Sequence, residues 1–472
     1  MTATDLAATT YAAPSLSGPK GLPLIGNLRD IRKDPLGYFT RVARDYGDVV
    51  PIRLGPERLL FINRPEYVRH VLQVNFKGYR KSDYYQRVRP IFGDSILMQE
   101  GESWLRLRRV AQPAFQGKRI RAMMAGISET AEEAVGRWQG AAGRGVSYEL
   151  NQEMMRLVLD VVFRVLLQVR LGDRFEEVFH NLGIVLREAE HRVWTLTTLG
   201  QYLPSRRNRA FRQALSRLDD VVYGIIEARR QDEAGHEDLL SLFMAAFDDP
   251  ASPASSNRQL RDEILTFLIG GHETTAAGLA WTFHLLSEHP EVEARLWQEV
   301  DEVLGGRPPG FDDLPRLPYT RAVFDEAVRL YPPVWTISRT ALTDDMLGDV
   351  PVPKGTTVML SPFALQRNPR HWPEPEAFDP RRFLPENEKR IEPFAYFPFG
   401  GGPRACIGAR LATVEATLIL ARIAQSFRIR VLPDQIIEPE PTITLRPRFG
   451  IHAEIEPRTK GAAWSQGRAH AA

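Results

Sequence analysis

The run Phe399-Gly400-Gly401-Gly402-Pro403-Arg404-Ala405-Cys406-Ile407-Gly408 holds the only cysteine of the 472-residue chain, and no other segment restricts the fold as much. Three consecutive glycines carry no β-carbon, so the backbone can turn sharply there and come close to a large planar ligand. From Ile407 onward the sequence is apolar with helical spacing, which predicts a helix over Ala409 to Phe427. Cys406 would then lie at a helix N-terminus, where unpaired N–H groups and the positive end of the dipole favour an anion, and Arg404 adds a nearby cation. The thiolate is therefore the expected form. Two other readings stand beside this one. A lone cysteine is more often a small buried hydrophobe. A nucleophilic cysteine needs a histidine partner, and the ten histidines are scattered with no hydrolase signature around Cys406.

Hydrophobic residues make up 43% of the chain and charged residues 25%, enough apolar material for a large core. A net charge of +2, with no compact basic repeat, gives no ground for nucleic-acid binding. One cysteine excludes an intramolecular disulfide and fits a reducing compartment. The first twenty residues show no basic stretch followed by an apolar core, and no apolar run reaches membrane-spanning length, so the expectation is a cytoplasmic protein without a membrane anchor. No repeat or linker divides the chain. We expect one domain over 18–456, entered through the Pro/Gly-rich stretch Gly18 to Gly26, with flexible ends at 1–17 and 457–472. Val49–Leu54 and Arg58–Asn63 predict a β-hairpin around Gly55-Pro56-Glu57. Helical patterns fill most of the chain to residue 332, and short strands follow at Val334–Leu342 and Thr356–Leu360. The fold class is mainly α with a minor β region.

A long helical pattern from Ser256 to His289 opens on a possible capping box, Ser256-Asn257-Arg258-Gln259, and closes before Pro290. Its middle, Gly270-Gly271-His272-Glu273-Thr274-Thr275, puts two glycines and a polar cluster inside an apolar helix. Each glycine costs about 1 kcal/mol against alanine there. One explanation is a close helix crossing with the threonines bonded back to carbonyls; a ligand beside the glycines is the other. Glu326 and Arg329 share a helix face at i,i+3 and can pair. Trp104 and Arg108 lie one helical turn apart and can address one ligand. Arg106, Arg109, Lys118, Arg119 and Arg121 make the same stretch basic, either as a solvated face or as a dock for an acidic protein.

Read as Phe-x-x-Gly-x-Arg-x-Cys-x-Gly, the residues Phe399, Gly402, Arg404, Cys406 and Gly408 resemble the haem-binding loop of the cytochrome P450 family. The other motifs follow in the family's order, and the resemblance spans about residues 18 to 455. It implies a single haem domain of the P450 fold holding haem b, with Cys406 as thiolate ligand; such a ligand pushes electron density onto haem iron and favours O–O cleavage. Phe399 would shield the sulfur, Gly408 would belong to the cofactor-binding loop, and Arg404, Trp104, Arg108 and Arg339 would serve the propionates. The glycine pair would leave room for O2 in a locally opened helix, Thr274 would hydrogen-bond the dioxygen, and Glu273 would help deliver protons. His272 takes a variable slot and is expected to pack within its helix. Glu326, Arg329 and Arg382, the last in Phe378-Asp379-Pro380-Arg381-Arg382-Phe383, would form a buried network steadying the cysteine loop.

The implied activity is insertion of one atom of O2 into a hydrophobic small molecule by hydroxylation or epoxidation, in secondary or lipid and terpenoid metabolism. No dinucleotide fingerprint and no cysteine cluster occurs, so electrons would come from a separate ferredoxin and ferredoxin reductase, with NAD(P)H acting only through the reductase. Substrate-lining candidates are Phe92, Ile96, Leu97, Met98, Trp194, Leu196, Leu199, Phe267, Val334, Trp335 and Ile337. A peroxide-driven peroxygenase and a non-catalytic haem-binding protein are the alternatives, and the retained Glu273–Thr274 pair argues against both.

Overall fold

Twelve short strands and eleven long helices carry the chain in a computed structural model, which describes residues 16–458 apart from 56, 141, 195–202, 233–234 and 248–252. The strands are β1 Val49–Leu54, β2 Glu57–Ile62, β3 Tyr79–Lys81, β4 Ser147–Glu149, β5 Ile337–Ala341, β6 Asp345–Leu347, β7 Val350–Val352, β8 Thr357–Leu360, β9 Phe427–Val431, β10 Pro439–Pro441, β11 Leu445–Pro447 and β12 His452–Pro457. The long helices are α1 Pro35–Tyr46, α2 Gly101–Ala111, α3 Gly117–Gln139, α4 Leu150–Leu166, α5 Phe175–Trp194, α6 Arg206–Gln231, α7 Leu239–Phe247, α8 Pro253–Glu288, α9 Pro290–Leu304, α10 Pro318–Leu330 and α11 Ala409–Ser426. None of the described helices is long and apolar enough to cross a membrane.

The expected hairpin forms: β1 and β2 pair antiparallel from Val49 opposite Ile62 to Leu54 opposite Glu57, turning at Gly55 with φ +60°. They open a five-stranded sheet in the order β1-β2-β8-β5-β3, with β2 and β8 parallel and β5 antiparallel to both of its neighbours. The register of the last pair sets Lys81 directly opposite Arg339. Like charges facing each other across strands are destabilising. The β-region therefore carries a deliberate concentration of positive charge at one end.

The helices enclose the main core, in which Trp138, Phe163, Phe243 and Trp281 are fully buried. α8 is buried on nearly every face from Leu260 to Leu286, as expected of a helix surrounded by others. It begins at Pro253, three residues before the expected cap at Ser256, because proline is pre-organised for a first helical turn. Trp281 fixes its C-terminal half, stacking on Tyr331 with ring centroids 4.0 Å apart and donating to the Leu445 carbonyl at 3.0 Å.

α10 brings the expected charge network together. The Arg329 guanidinium donates to both Glu326 oxygens at 2.6 and 2.8 Å and to the carbonyls of Gln366, Pro375 and Ala377, while Arg382 lies 3.4 Å from Glu326. Gln366 passes this order on, because its Oε1 accepts from the Phe397 amide, two residues before Phe399. At the C-terminal end Pro457 closes β12, and Arg458 donates to the Ala424 carbonyl and to Asp301. Residues 1–15 and 459–472, within the expected flexible ends, lie outside the described residues.

Candidate active site above Cys406

The cysteine loop is shaped by contacts that tolerate no side chain. A β-carbon on Gly402, whose φ is +64°, would fall 1.9 Å from the Leu72 carbonyl oxygen, and one on Gly401 would fall 2.3 Å from the Phe394 ring. The Cys406 amide donates to the Phe399 carbonyl at 2.9 Å, and α11 starts at Ala409, as the apolar spacing predicts. The Cys406 side chain is open to solvent on one side although protein surrounds the rest of it.

Two electrostatic expectations are corrected. Burial pushes the Cys406 thiol up, and this outweighs the lowering by the amides of Gly408 and Ala409, so the helix N-terminus alone does not secure the thiolate. Metal coordination would, since it deprotonates a thiol outright. The cation whose field reaches the sulfur is Arg108, which also donates to the Ala405 carbonyl at 3.0 Å. Arg404 points elsewhere: it ion-pairs with Glu100, donates to the Gln99 carbonyl and lies 4.1 Å over the Trp104 ring.

Arg404 is nevertheless part of a positive cluster. Its field and that of Arg339 act on Lys81, which burial, with their help, brings down to about 7. Arg339 is buried and donates only to the neighbouring Ser338 carbonyl. Lys81 is a residue that sequence reasoning missed: a three-residue strand has too little periodicity to reveal it, and only the register opposite Arg339 brings it to this place. Trp104, Lys81, Arg339 and Arg404 thus gather beside the cysteine loop, bordering the recess over Cys406, with Glu100 the acid paired into the group among the described residues.

Phe115 links the loop to α8. Its ring would be 3.8 Å from a β-carbon on Gly408 and stacks on Phe267 with centroids 5.6 Å apart. One turn beyond Phe267 the two glycines separate in role. A β-carbon on Gly271 would touch Val162 of α4 at 3.2 Å, which is a helix crossing, whereas Gly270 is exposed and faces open space. The expected local opening of the helix is absent. α8 runs unbroken, and Thr274 donates back to the Gly270 carbonyl at 2.9 Å, so the hydroxyl satisfies itself on its own helix. Glu273 turns away from Thr274 and accepts from the Thr444 hydroxyl at 2.8 Å; burial pushes its carboxyl up, partly offset by Thr444 and Arg446. His272 is buried, donates to the Leu268 carbonyl and is brought down to about 4 by burial, a packed neutral ring as expected.

Among the lining candidates, Ile337 approaches the loop, 3.8 Å from where a Gly400 β-carbon would be. Trp335 does not line the recess: it packs with Phe39 in a separate cluster behind the sheet and donates to the Thr442 carbonyl. Leu196 and Leu199 lie outside the described residues, as does the side chain of Trp194.

The recess fits a flat dianionic cofactor with a metal centre. It offers a sulfur accessible from one side, open space at Gly270, and a surplus of cations for two carboxylates.

Comparisons agree with this geometry. The family model for cytochrome P450 matches residues 16–452. Cyclooctat-9-en-7-ol 5-monooxygenase of Streptomyces melanosporofaciens is 37% identical over 88% of this chain and 90% of its own length. Pentalenene oxygenase of Streptomyces avermitilis is 32% identical over 94% and 98%. Among solved structures, the cytochrome P450DA haem domain superposes with a TM-score of 0.83 at 27% identity, covering 94% of this chain and 98% of that one. With a family model matched over nearly the whole chain and relatives at 37% and 32% identity over most of their own length, the chain belongs to the cytochrome P450 family and is a P450 monooxygenase, using haem with a thiolate ligand and O2.

Proposed function

We propose that the protein inserts one oxygen atom into a hydrophobic terpenoid hydrocarbon or alcohol, with haem b held by Cys406 and electrons supplied by a ferredoxin and its reductase in the cytoplasm. The observation that carries this reading is an exposed Cys406 in a loop whose glycines admit no side chain, with Arg108 acting on the sulfur and Lys81, Arg339 and Arg404 clustered nearby. Bound haem supplies oxygen activation. Trp104, Arg339, Arg404 and Lys81 would hold its carboxylates, while Arg108 sets the potential at the sulfur. The Phe399 carbonyl, which accepts from the Cys406 amide, would fix the backbone that carries the sulfur, with the Phe399 ring screening it. Glu273 is buried and its carboxyl is pushed up by burial, which favours its holding a proton that it would pass on. The Thr274 hydroxyl would exchange its bond to the Gly270 carbonyl for one to a ligand.

The terpenoid class is supported by the two Streptomyces relatives, whose names specify a cyclooctat-9-en-7-ol and a pentalenene oxygenase. The ferredoxin dock is supported by Arg106, Arg109, Lys118 and Arg410, exposed on the side of α2, α3 and the loop's own helix, and by Arg108 reaching from that side to the Ala405 carbonyl. Arg119 and Arg121 of the same stretch are engaged with the Glu237 carbonyl and Asp312.

The test is turnover of a panel of cyclic terpene hydrocarbons with surrogate ferredoxin, reductase and NADPH under 18O2. One labelled oxygen per product, dependent on the reductase, is expected. Turnover with H2O2 alone that survives Thr274→Ala would overturn it in favour of a peroxygenase.

A further inference from the structure

Between the short helix Arg89–Phe92 and α2 the chain runs through Gly93 to Glu100, and this segment is gripped at both ends. Its second half is tied to the cation cluster: the Leu97 carbonyl accepts from Lys81 Nζ, the Gln99 carbonyl from Arg404 at 3.2 Å, and Glu100 pairs with Arg404. Ile96–Met98 is therefore held beside the cation cluster next to the cysteine loop, where it can serve as a wall for a molecule bound over Cys406. Its first half is held by three consecutive residues of α8. Arg261 Nη1 donates to the Ile91 carbonyl at 2.8 Å, Asp262 Oδ2 accepts from the Asp94 amide at 2.9 Å, and Glu263 accepts from the Ile96 amide at 3.0 and 3.2 Å. All three side chains are buried, and Glu263 is fully so.

Other features show how closely the grip is fitted. Gly93 has φ +54°, and a β-carbon there would fall 1.9 Å from Asp262 Oδ2, so the loop rests directly on the carboxylate. Arg261 also pairs with Asp219 of α6 at 2.7 Å, which ties a second element to the same helical turn. A polar cleft of about 960 Å³ is bordered by Gly93, Asp94, Asp219, Arg261 and Asp262, residues of the grip itself. A buried backbone N–H without an acceptor is costly, so the position of Ile96 depends on the Glu263 carboxyl.

We infer that Glu263, supported by Asp262 and Arg261, is a positioning residue for substrate: it fixes the Ile96–Met98 wall and thereby sets how a bulky apolar molecule is presented above Cys406. The proposal rests on the haem monooxygenase reading for what the wall faces, and on the hydrogen bonds alone for the grip. Burial pushes Glu263 up to about 8, so the side chain is mostly neutral at pH 7 and glutamine is a close replacement that keeps the acceptor oxygen. Leucine removes it at similar volume.

The experiment uses the haem-loaded full chain, comparing parent, Glu263→Leu and Glu263→Gln by amide hydrogen exchange over residues 89–98 and by spectral titration with imidazole and 4-phenylimidazole. Imidazole reaches the iron without touching a wall, whereas the phenyl group must fit against one. Glu263→Leu is expected to speed exchange at Asp94 and Ile96 at least tenfold and to weaken 4-phenylimidazole at least fivefold, leaving imidazole within twofold; Glu263→Gln is expected to match the parent in both. Unchanged exchange in Glu263→Leu, or parallel weakening of both ligands, overturns the proposal. Should Glu263→Leu not fold, Gly93→Ala attacks the neighbouring Asp262 contact of the same grip from the loop side and is held to the same outcomes. A protein that never shows a ligand-induced Soret shift would sink the monooxygenase reading, while the exchange data would still decide whether the grip exists.

Discussion

Removing Glu326 tests how the buried charges on α10 support the cysteine loop. In Glu326→Ala, Arg329 loses the two bonds at 2.6 and 2.8 Å and keeps three to carbonyls, which leave its Nε–H and one Nη2–H without an acceptor and its charge without an anion. The Asp379 amide loses its acceptor at 2.9 Å, and Arg382 loses its ion pair. Breaking one member of a buried pair costs about 3–5 kcal/mol. At about 2.1 cal/mol/K of unfolding entropy per residue, that is a fall in Tm of roughly 3–5 °C for a chain of this length. Because Arg329 orders Gln366, whose Oε1 holds the Phe397 amide, the loss should also lower haem content of the purified protein. Glu326→Gln keeps the shape and one acceptor and should fall between. Urea unfolding followed by circular dichroism, with haem-to-protein ratio on the same samples, measures both effects. A Glu326→Ala protein within 1 kcal/mol of the parent and fully haem-loaded would refute the reasoning, because it would mean the charge of Arg329 needs no anion.

Glu415 on α11 is fully buried, its Oε1 has no partner, and burial alone pushes it up to about 8. The folded state therefore keeps a proton that the unfolded state releases near 4.5, so stability is lost as pH rises from about 4.5 to 8. Glu415→Gln should be about as stable as the parent at pH 4.5 and exceed it by on the order of 4–5 kcal/mol at pH 8.5 in urea unfolding; equal stability at both pH values would count against it. Gly402→Ala forces a left-handed conformation and a β-carbon 1.9 Å from the Leu72 oxygen, and we expect no haem incorporation, read as loss of the Soret band. Arg339→Met removes one of two cations facing each other across β3 and β5, so the haem-free protein should be as stable as the parent or up to about 1 kcal/mol more stable while haem affinity falls. Affinity unchanged in a haem titration would show that Arg339 does not serve the cofactor.

Much of this was legible because the controlling signals are local. The hairpin, the loop glycines and the start of α11 follow from turn chemistry and helical spacing over a few residues. The pairing of Glu326 with Arg329 follows from i,i+3 geometry, and their joining to Arg382 from motif order. What the sequence hid depends on register and on competition between partners. Lys81 enters the cluster only through the alignment of β3 with β5. Arg404 has its guanidinium claimed by Glu100, and which acid would claim it is not a matter of spacing. The thiol of Cys406 is governed by burial more than by the helix dipole, and burial is a property of the packed molecule. Trp335 looked like a pocket residue because it is apolar and just precedes β5, yet it lies outside the strand and packs on Phe39 in a separate cluster, a contact that spacing does not reveal.

The most direct test of the central claim is the absorption spectrum of the purified, haem-supplied protein, reduced with dithionite and exposed to carbon monoxide, alongside Cys406→Ser. A strongly red-shifted Soret band in the parent that is lost in Cys406→Ser is the predicted result, since Cys406 is the only sulfur of its kind in the chain. A folded parent protein without that band, or a Cys406→Ser protein that keeps it, would contradict thiolate ligation by Cys406.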